Sequence, residues 1–235
     1  MTGPSDAAVF RLGYVPGATP GKWARMWAER RPHVPLELVT ATTDEALELI
    51  RSGAVDAALV RLPIDRTGLH TIPLYTETTV AVVPKDHVVT ATEEATVADL
   101  ADEIVLRPQD DTLVWPDDRP GRAAAFAPAT TAEAIELVAA GVGLLVVPQS
   151  LARLHHRRDL TYRPLADAPG SGVGLVWPDA ENTDLMEEFI GIVRGRTVNS
   201  SRTPRRDGTP APGTPAPKKK RVARRPPAQR GRHRR

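Results

Sequence analysis

The chain has 235 residues, 41% of them hydrophobic, with no cysteine and a formal net charge of +2. A chain of this length removes roughly 70% of its unfolded surface from water, so it can build a core without metals or disulfides; the lack of cysteine excludes a disulfide framework, a thiolate nucleophile and a Cys/His zinc constellation, and suits a reducing, cytoplasmic setting. Met1 to Ala8 has no basic region followed by an apolar run and no apolar stretch is long enough to cross a bilayer, so neither a secretory signal nor a membrane partner is expected.

In chain order, strand-like and helix-like segments alternate. Phe10–Val15 alternates large apolar residues, and Thr19-Pro20 supplies a cap residue with proline in the first helical turn. Trp23, Met26 and Trp27 fall at i, i+3, i+4 spacing until Pro32 stops the helix. Leu36–Thr40 is a second strand. Thr43 is placed to cap the next helix, with Asp44 and Glu45 near its positive end and Ala46, Leu47 and Ile50 as its buried stripe. Gly53 stands where a left-handed helix terminus is wanted, Asp56 is expected to accept backbone donors within that turn, and the apolar run Ala57–Val60 suits a parallel strand covered on both faces.

"LYTETTVAVVP", ending at Pro84, is β-rich. A second block of alternation follows: a short helix near Val97–Ala101, a strand at Ile104–Leu106, and an irregular Pro/Asp-rich stretch over 108–128. A helix over Thr131–Ala140 comes next, with Thr130 and Glu133 at capping-box spacing and Gly141 at its end. "GLLVVP" at 143–148 is a strand, Leu160–Tyr162 and Gly172–Trp177 are two more, and a helix over about 184–194 buries Leu185, Met186, Phe189, Ile190 and Val193 on one stripe.

"FRLGYVPG", "PLELVTATTDEALELIRSGAVDAALVRLP", "TTVAVVPKDH", "VADLADEIVL" and "TTAEAIELVAAGVGLLVVPQSLAR" together resemble, in order, the effector-binding (substrate-binding) domain of LysR-type transcriptional regulators. The resemblance implies an α/β fold of the periplasmic-binding-protein-like type 2 class, with two α/β lobes joined by two crossover strands; the composition of the remaining C-terminal segment reads as a disordered tail. The resemblance places the domain at 9–196, lobe I at about 9–83 and 172–196, lobe II at about 84–171, and the tail at 197–235. Two departures stand out. The winged helix-turn-helix that such regulators carry before this domain has no counterpart here, since Phe10 already opens the first strand. Between Arg107 and Thr130, where the family has a long helix and a further strand, this chain has a shortened Pro/Asp-rich segment.

Ligands of such folds sit where strand C-termini and helix N-termini of both lobes meet, and unpaired N–H groups there suit carboxylates, phosphates or sulfates. On that basis the candidate ligand-binding residues are Thr19, Thr42, Thr43 and Arg61 in lobe I and Arg107, Thr130, Thr131 and Gln149 in lobe II. Threonine hydroxyls can donate to an anion and arginine adds a charged fork. Each has a structural alternative: Thr43 and Thr130 cap helices with or without a ligand, and Arg61 or Arg107 can be solvated or paired locally. The expected partner is a small anionic or aromatic effector. No cofactor is implied, no nucleophile elbow, Walker loop or dinucleotide fingerprint is present, and catalysis is not expected. His155-His156 read as a helix end, and Asp110-Asp111 and Asp117-Asp118 as a polar loop.

Charge is divided unevenly. Thirteen of the 31 Lys and Arg and one of the 29 Asp and Glu, Asp207, fall in 202–235, leaving 18 and 28 in 1–201. The body is therefore −10 and the tail +12. With Val222 as its only large apolar residue, the tail cannot bury enough to offset its ordering entropy. Lys218, Lys219, Lys220, Arg221, Arg224 and Arg225 are candidates for non-specific contact with DNA or RNA phosphates, without aromatic stacking. A homodimer is the expected assembly, as the family pairs its effector domains side by side. The competing readings are a protein-interaction scaffold derived from a sensor domain and a solute-binding protein of transport type.

Overall fold

The computed structural model describes residues 8–196. The basic tail, including Lys218, Lys219, Lys220, Arg221, Arg224 and Arg225, lies outside the described residues. Lobe I opens with β1 (Phe10–Tyr14), α1 (Gly21–Arg30), β2 (Leu36–Thr40), α2 (Thr43–Arg51), β3 (Ala57–Leu62) and β4 (Leu69–Glu77). The chain then crosses into β5 (Thr79–Pro84), two single turns of 3-10 helix at Val88–Ala91 and Ala98–Leu100, β6 (Ile104–Leu106), β7 (Arg122–Ala123), α3 (Thr131–Ala139), β8 (Leu144–Pro148), α4 (Gln149–Leu154) and β9 (Leu160–Pro164). It returns through β10 (Ser171–Pro178) and ends with α5 (Asp184–Val193).

The two five-stranded sheets share one plan. In the order β2-β1-β3-β10-β4 the first three strands are parallel, and β10 runs antiparallel to both neighbours. In the order β7-β6-β8-β5-β9 the first three are again parallel, with β5 antiparallel to β8 and β9. Each sheet thus receives, as its fourth strand, the one that has just crossed from the other lobe. The β-rich segment ending at Pro84 is therefore two strands broken at Thr78, and Thr79–Pro84 belongs to the second sheet. This corrects the expected lobe boundary near residue 83. Alternation explains the assignment: Val80 and Val82 pack under α3 with Ile135, Leu145 and Val147, while Ala81 and Val83 pack on the opposite face with Leu100, Val105 and Val146. A strand buried on both faces reads as a continuous apolar run, and only a central strand has that environment.

In lobe I the core centres on three rings: Phe10 lies 4.8 Å from Trp27 and 5.0 Å from Phe189, so that β1, α1 and α5 meet at one point. The Trp27 indole N–H donates to the Val34 carbonyl at 2.8 Å, satisfying its one polar atom in the core. Gly53 ends α2 with φ of 71°, as its position predicts. Asp56 differs from expectation. Its carboxylate accepts the N–H of Arg11 at 2.6 Å, 45 residues away, while its own N–H donates to the Arg11 carbonyl. It pins the start of β3 to β1 and is not a local turn acceptor.

Two helix starts also shift, and a third keeps its cap with a different partner for Glu133. Pro20 occupies the N-cap position of α1 with no side-chain cap, so Thr19 stands outside the helix. Thr42, not Thr43, caps α2, in a reciprocal box with Glu45. At α3, Thr130 accepts from the Glu133 N–H as expected, but the Glu133 side chain reaches past Thr130 to the N–H of Ala129. The shortened 107–130 segment holds no helix; it lays Leu113 and Trp115 onto the second sheet and adds the two-residue β7 at its edge.

Candidate functional site

A cleft of about 740 Å³ opens between the lobes, within the usual range for small-molecule sites. Lobe I contributes Val15 and Pro16 after β1, Thr40, Thr42, Thr43 and Asp44 around the start of α2, and Arg61 of β3; lobe II contributes 109–112, 129–132, Leu151, Leu154 and His155. Of the residues expected from sequence, Thr42, Thr43, Arg61, Thr130 and Thr131 are gathered here. Thr19 and Gln149 line a second hollow of about 580 Å³ with Tyr75, Glu77 and Arg153. Arg107 lines neither: it sits under the 107–120 loop beside Asp111, Trp115 and Arg119, with its buried Nε unpartnered among the described residues.

Arg61 is only 4% exposed and its guanidinium is already engaged. One terminal nitrogen donates to Glu77 at 3.2 Å and to the Ser171 hydroxyl at 2.8 Å; the other donates to the Pro16 carbonyl at 3.3 Å and to the Ser150 hydroxyl at 3.1 Å. Ser150 in turn donates to Glu77 at 2.7 Å. Ends of β1, β4, α4 and β10 are thereby tied to β3, at the junction where the chain passes between lobes. The packing is tight enough that Gly17, at φ 86°, has room for no side chain: a Cβ would lie 2.3 Å from the Ser150 oxygen. The local-pairing reading of Arg61 is thus the one the geometry supports, and its charge is spent within the protein.

The two helix starts facing the cleft differ in chemistry. At α2 the Thr42 hydroxyl accepts the Glu45 N–H at 3.3 Å, and the Glu45 carboxylate accepts the Thr42 N–H at 2.8 Å. The bond from the Thr42 N–H, and after it the one that the Thr42 hydroxyl donates to the same carboxylate at 3.0 Å, hold the Glu45 carboxyl below its ordinary pKa. The cap consumes the N–H groups of Thr42 and Glu45 and leaves those of Thr43 and Asp44, which have no intrahelical partner. At α3 the Thr131 N–H and hydroxyl both bind the Asp110 carboxylate, at 3.0 and 2.9 Å. The anion-receiving end expected at Thr130 and Thr131 therefore already holds an anion, supplied by the shortened segment. This is a correction to the sequence reading, which saw Asp110 only as loop polarity. Next to it, burial pushes the Asp111 carboxyl up in pKa against the opposing pull of the Leu113 N–H and of Arg119, which pairs with it at 2.6 Å.

Sequence reasoning also missed Leu151, Leu154 and His155. α4 is a six-residue helix whose apolar side contributes to the cleft wall, and its only sequence signal is the spacing of Leu151 and Leu154. Among the described residues no group of three or more His, Asp or Glu could hold a metal ion, and no helix is long and apolar enough to cross a membrane.

Two mixed sheets exchanging strands around a cleft define a bilobal ligand-binding domain of the periplasmic-binding-protein-like type. Residues 6–197 match the family model described as LysR substrate binding domain, and the chain belongs to that family. A "probable hydrogen peroxide-inducible genes activator" of Mycobacterium avium is 29% identical over 207 residues, covering 82% of this chain and 66% of that protein. The HTH-type transcriptional regulator AlsR of Bacillus subtilis is 28% identical, covering 81% of this chain and 67% of its own length. The chain thus spans about two-thirds of the length of such relatives. Among solved structures, the BenM effector binding domain with its effector benzoate superposes with a TM-score of 0.68 at 21% identity, covering 81% of this chain and 92% of that one. Oxidised OxyR gives 0.67 at 23% identity, covering 81% and 96%. These two likenesses speak for the fold.

Proposed function

We propose that this chain is the effector-sensing part of a LysR-type transcriptional regulator acting in the cytoplasm, a binding module and not an enzyme. A small organic molecule enters the interlobe cleft and biases how the lobes sit on either side of the Arg61–Glu77–Ser150 junction. The observation that carries this reading is a cleft of ligand size bounded by helix starts from both lobes, in a chain of this family. Of the anionic or aromatic effectors expected from the sequence, an aromatic body suits the apolar surfaces of Val15, Leu151 and Leu154. Thiol–disulfide sensing is not available, although OxyR has been solved in oxidised and reduced forms, because this chain has no cysteine. Isologous pairing into a homodimer is proposed on the family likeness.

The test is a thermal-shift screen of the full chain against small organic acids, amines and amino acids. A ligand that binds only the native state raises Tm with concentration; a screen in which no compound does so would refute the sensor reading and leave an interaction scaffold. Contact of the tail cations with nucleic acid is a separate proposal, supported by the 13 Lys and Arg in 202–235. It predicts low-salt mobility shift of duplex DNA by the full chain, lost steeply with added salt. Equal binding by a chain ending at Ser201, or none by either, overturns it.

A further inference from the structure

We infer that the effector of this cleft carries a protonated nitrogen, held by Asp110, and that a simple carboxylate is a poor ligand; this rests on the cleft being the effector site. The charged side chains lining the cleft are Asp44, Asp110, Asp111 and Arg61, together with the imidazole of His155. Two of these are neutralised from outside it, Arg61 by Glu77 and Asp111 by Arg119. Asp44 and Asp110 have no ion-pair partner among the described residues, so the field in the cleft is that of two uncompensated carboxylates. An entering anion meets like charge, whereas a cation is drawn in.

Local chemistry agrees with the field. A free helix start is a donor-only site and favours anions. At α3 that role has been reversed: the Thr131 N–H and hydroxyl each spend one hydrogen on a separate oxygen of Asp110. What Asp110 then presents is the remaining lone pairs of two carboxylate oxygens, which is an acceptor-only surface. The Thr131 bonds also fix the carboxylate's orientation, so a bound nitrogen meets a preorganised acceptor.

The opposite wall keeps the ordinary polarity. The N–H groups of Thr43 and Asp44 are left over by the α2 cap. The cleft therefore offers a fixed acceptor at Asp110 on the lobe II side and, on the lobe I side, backbone donors beside the Asp44 carboxylate, about an interior partly lined by Val15, Leu151 and Leu154. An amine carrying an apolar body matches that arrangement; in an amino acid the ammonium group supplies the attraction, and its carboxylate gains the Thr43 and Asp44 N–H groups against the repulsion of the Asp44 side chain.

Three skeletons, benzyl, cyclohexyl and butyl, each tested as carboxylate, amine and amino acid against the full chain, decide it by thermal shift and calorimetry. Members bearing an ammonium group are expected to bind at least tenfold tighter than the carboxylate of the same skeleton. Asp110→Asn keeps an oxygen for Thr131 but removes the charge; it should weaken the ammonium compounds about tenfold and leave or improve the carboxylates. Carboxylates binding as tightly as amines, or amine affinity unchanged in Asp110→Asn, overturns the inference while the sensor reading stands. If no member binds the folded chain, the cleft fails as an effector site and this inference falls with it.

Discussion

The two lobes are built on the same strand plan, yet their helix starts meet the cleft with opposite polarity. In lobe I the α2 cap is closed within four residues, by Thr42 and Glu45, and backbone donors remain beyond it. In lobe II the α3 start borrows Asp110 from twenty-one residues upstream. The first arrangement is a property of a tetrapeptide and the second of a fold. The Pro/Asp-rich segment thus does more than form a wall; it delivers a carboxylate to the Thr131 N–H and hydroxyl at the start of α3.

The largest effect should come from the junction that both lobes share. Glu77→Ala leaves the 4%-exposed Arg61 guanidinium without its counter-charge, and breaking such a buried pair costs about 3–5 kcal/mol. Urea unfolding monitored by Trp fluorescence should report it, and the Arg61→Ala/Glu77→Ala double variant should lose much less than the sum of the single variants. Additive losses would mean that the junction is not one network.

A smaller and more discriminating effect separates the helix starts. Thr42→Ala and Asp110→Ala each remove one cap acceptor and should each cost about 1 kcal/mol. Amide exchange should distinguish them: loss of protection confined to the first turn of α2 for Thr42→Ala, but spread over both 109–113 and the first turn of α3 for Asp110→Ala. Identical, purely local patterns would remove the contrast between the lobes.

The smallest effect is a pH dependence. Thr42 holds the Glu45 carboxyl below its usual 4.5, so the folded chain binds fewer protons there than the unfolded chain. The stabilisation is present above pH 4.5 and is lost as pH falls through the folded value. Carboxyl-carbon NMR should show Glu45 titrating below an ordinary Glu, and Glu45→Gln should flatten that part of the stability profile. A normal Glu45 titration would contradict the reciprocal cap.

Much of the fold was legible because its signals are local. Ile104–Leu106 was delimited from its apolar run alone, and α2, α3 and α5 from their stripes and terminators, each to within a residue. The collinear motifs were enough to name the family. What failed was whatever depends on which residues the chain later brings alongside. Thr42 and Thr43 are equally good caps by composition, and only the backbone angle at Thr42, extended at ψ of 169°, decides between them. Thr79–Pro84 reads as a strand in either lobe until its partners β8 and β9 are known.

By itself the sequence determined the alternation of strands and helices and the threonines at the helix starts, because propensity, periodicity and capping act over a few residues, and the two-lobed class through the resemblance of its collinear motifs to a known family. Only the tertiary structure decided that Arg61 is consumed by Glu77, Ser150 and Ser171, that Thr19 and Gln149 face a different hollow from Thr43 and Thr131, and that Asp110 closes the start of α3. Those outcomes are set by the distance between side chains remote in sequence. Hydrogen bonds act over a few ångströms and screened charges over about 10 Å, so residue type alone leaves even the sign of the cleft's charge open.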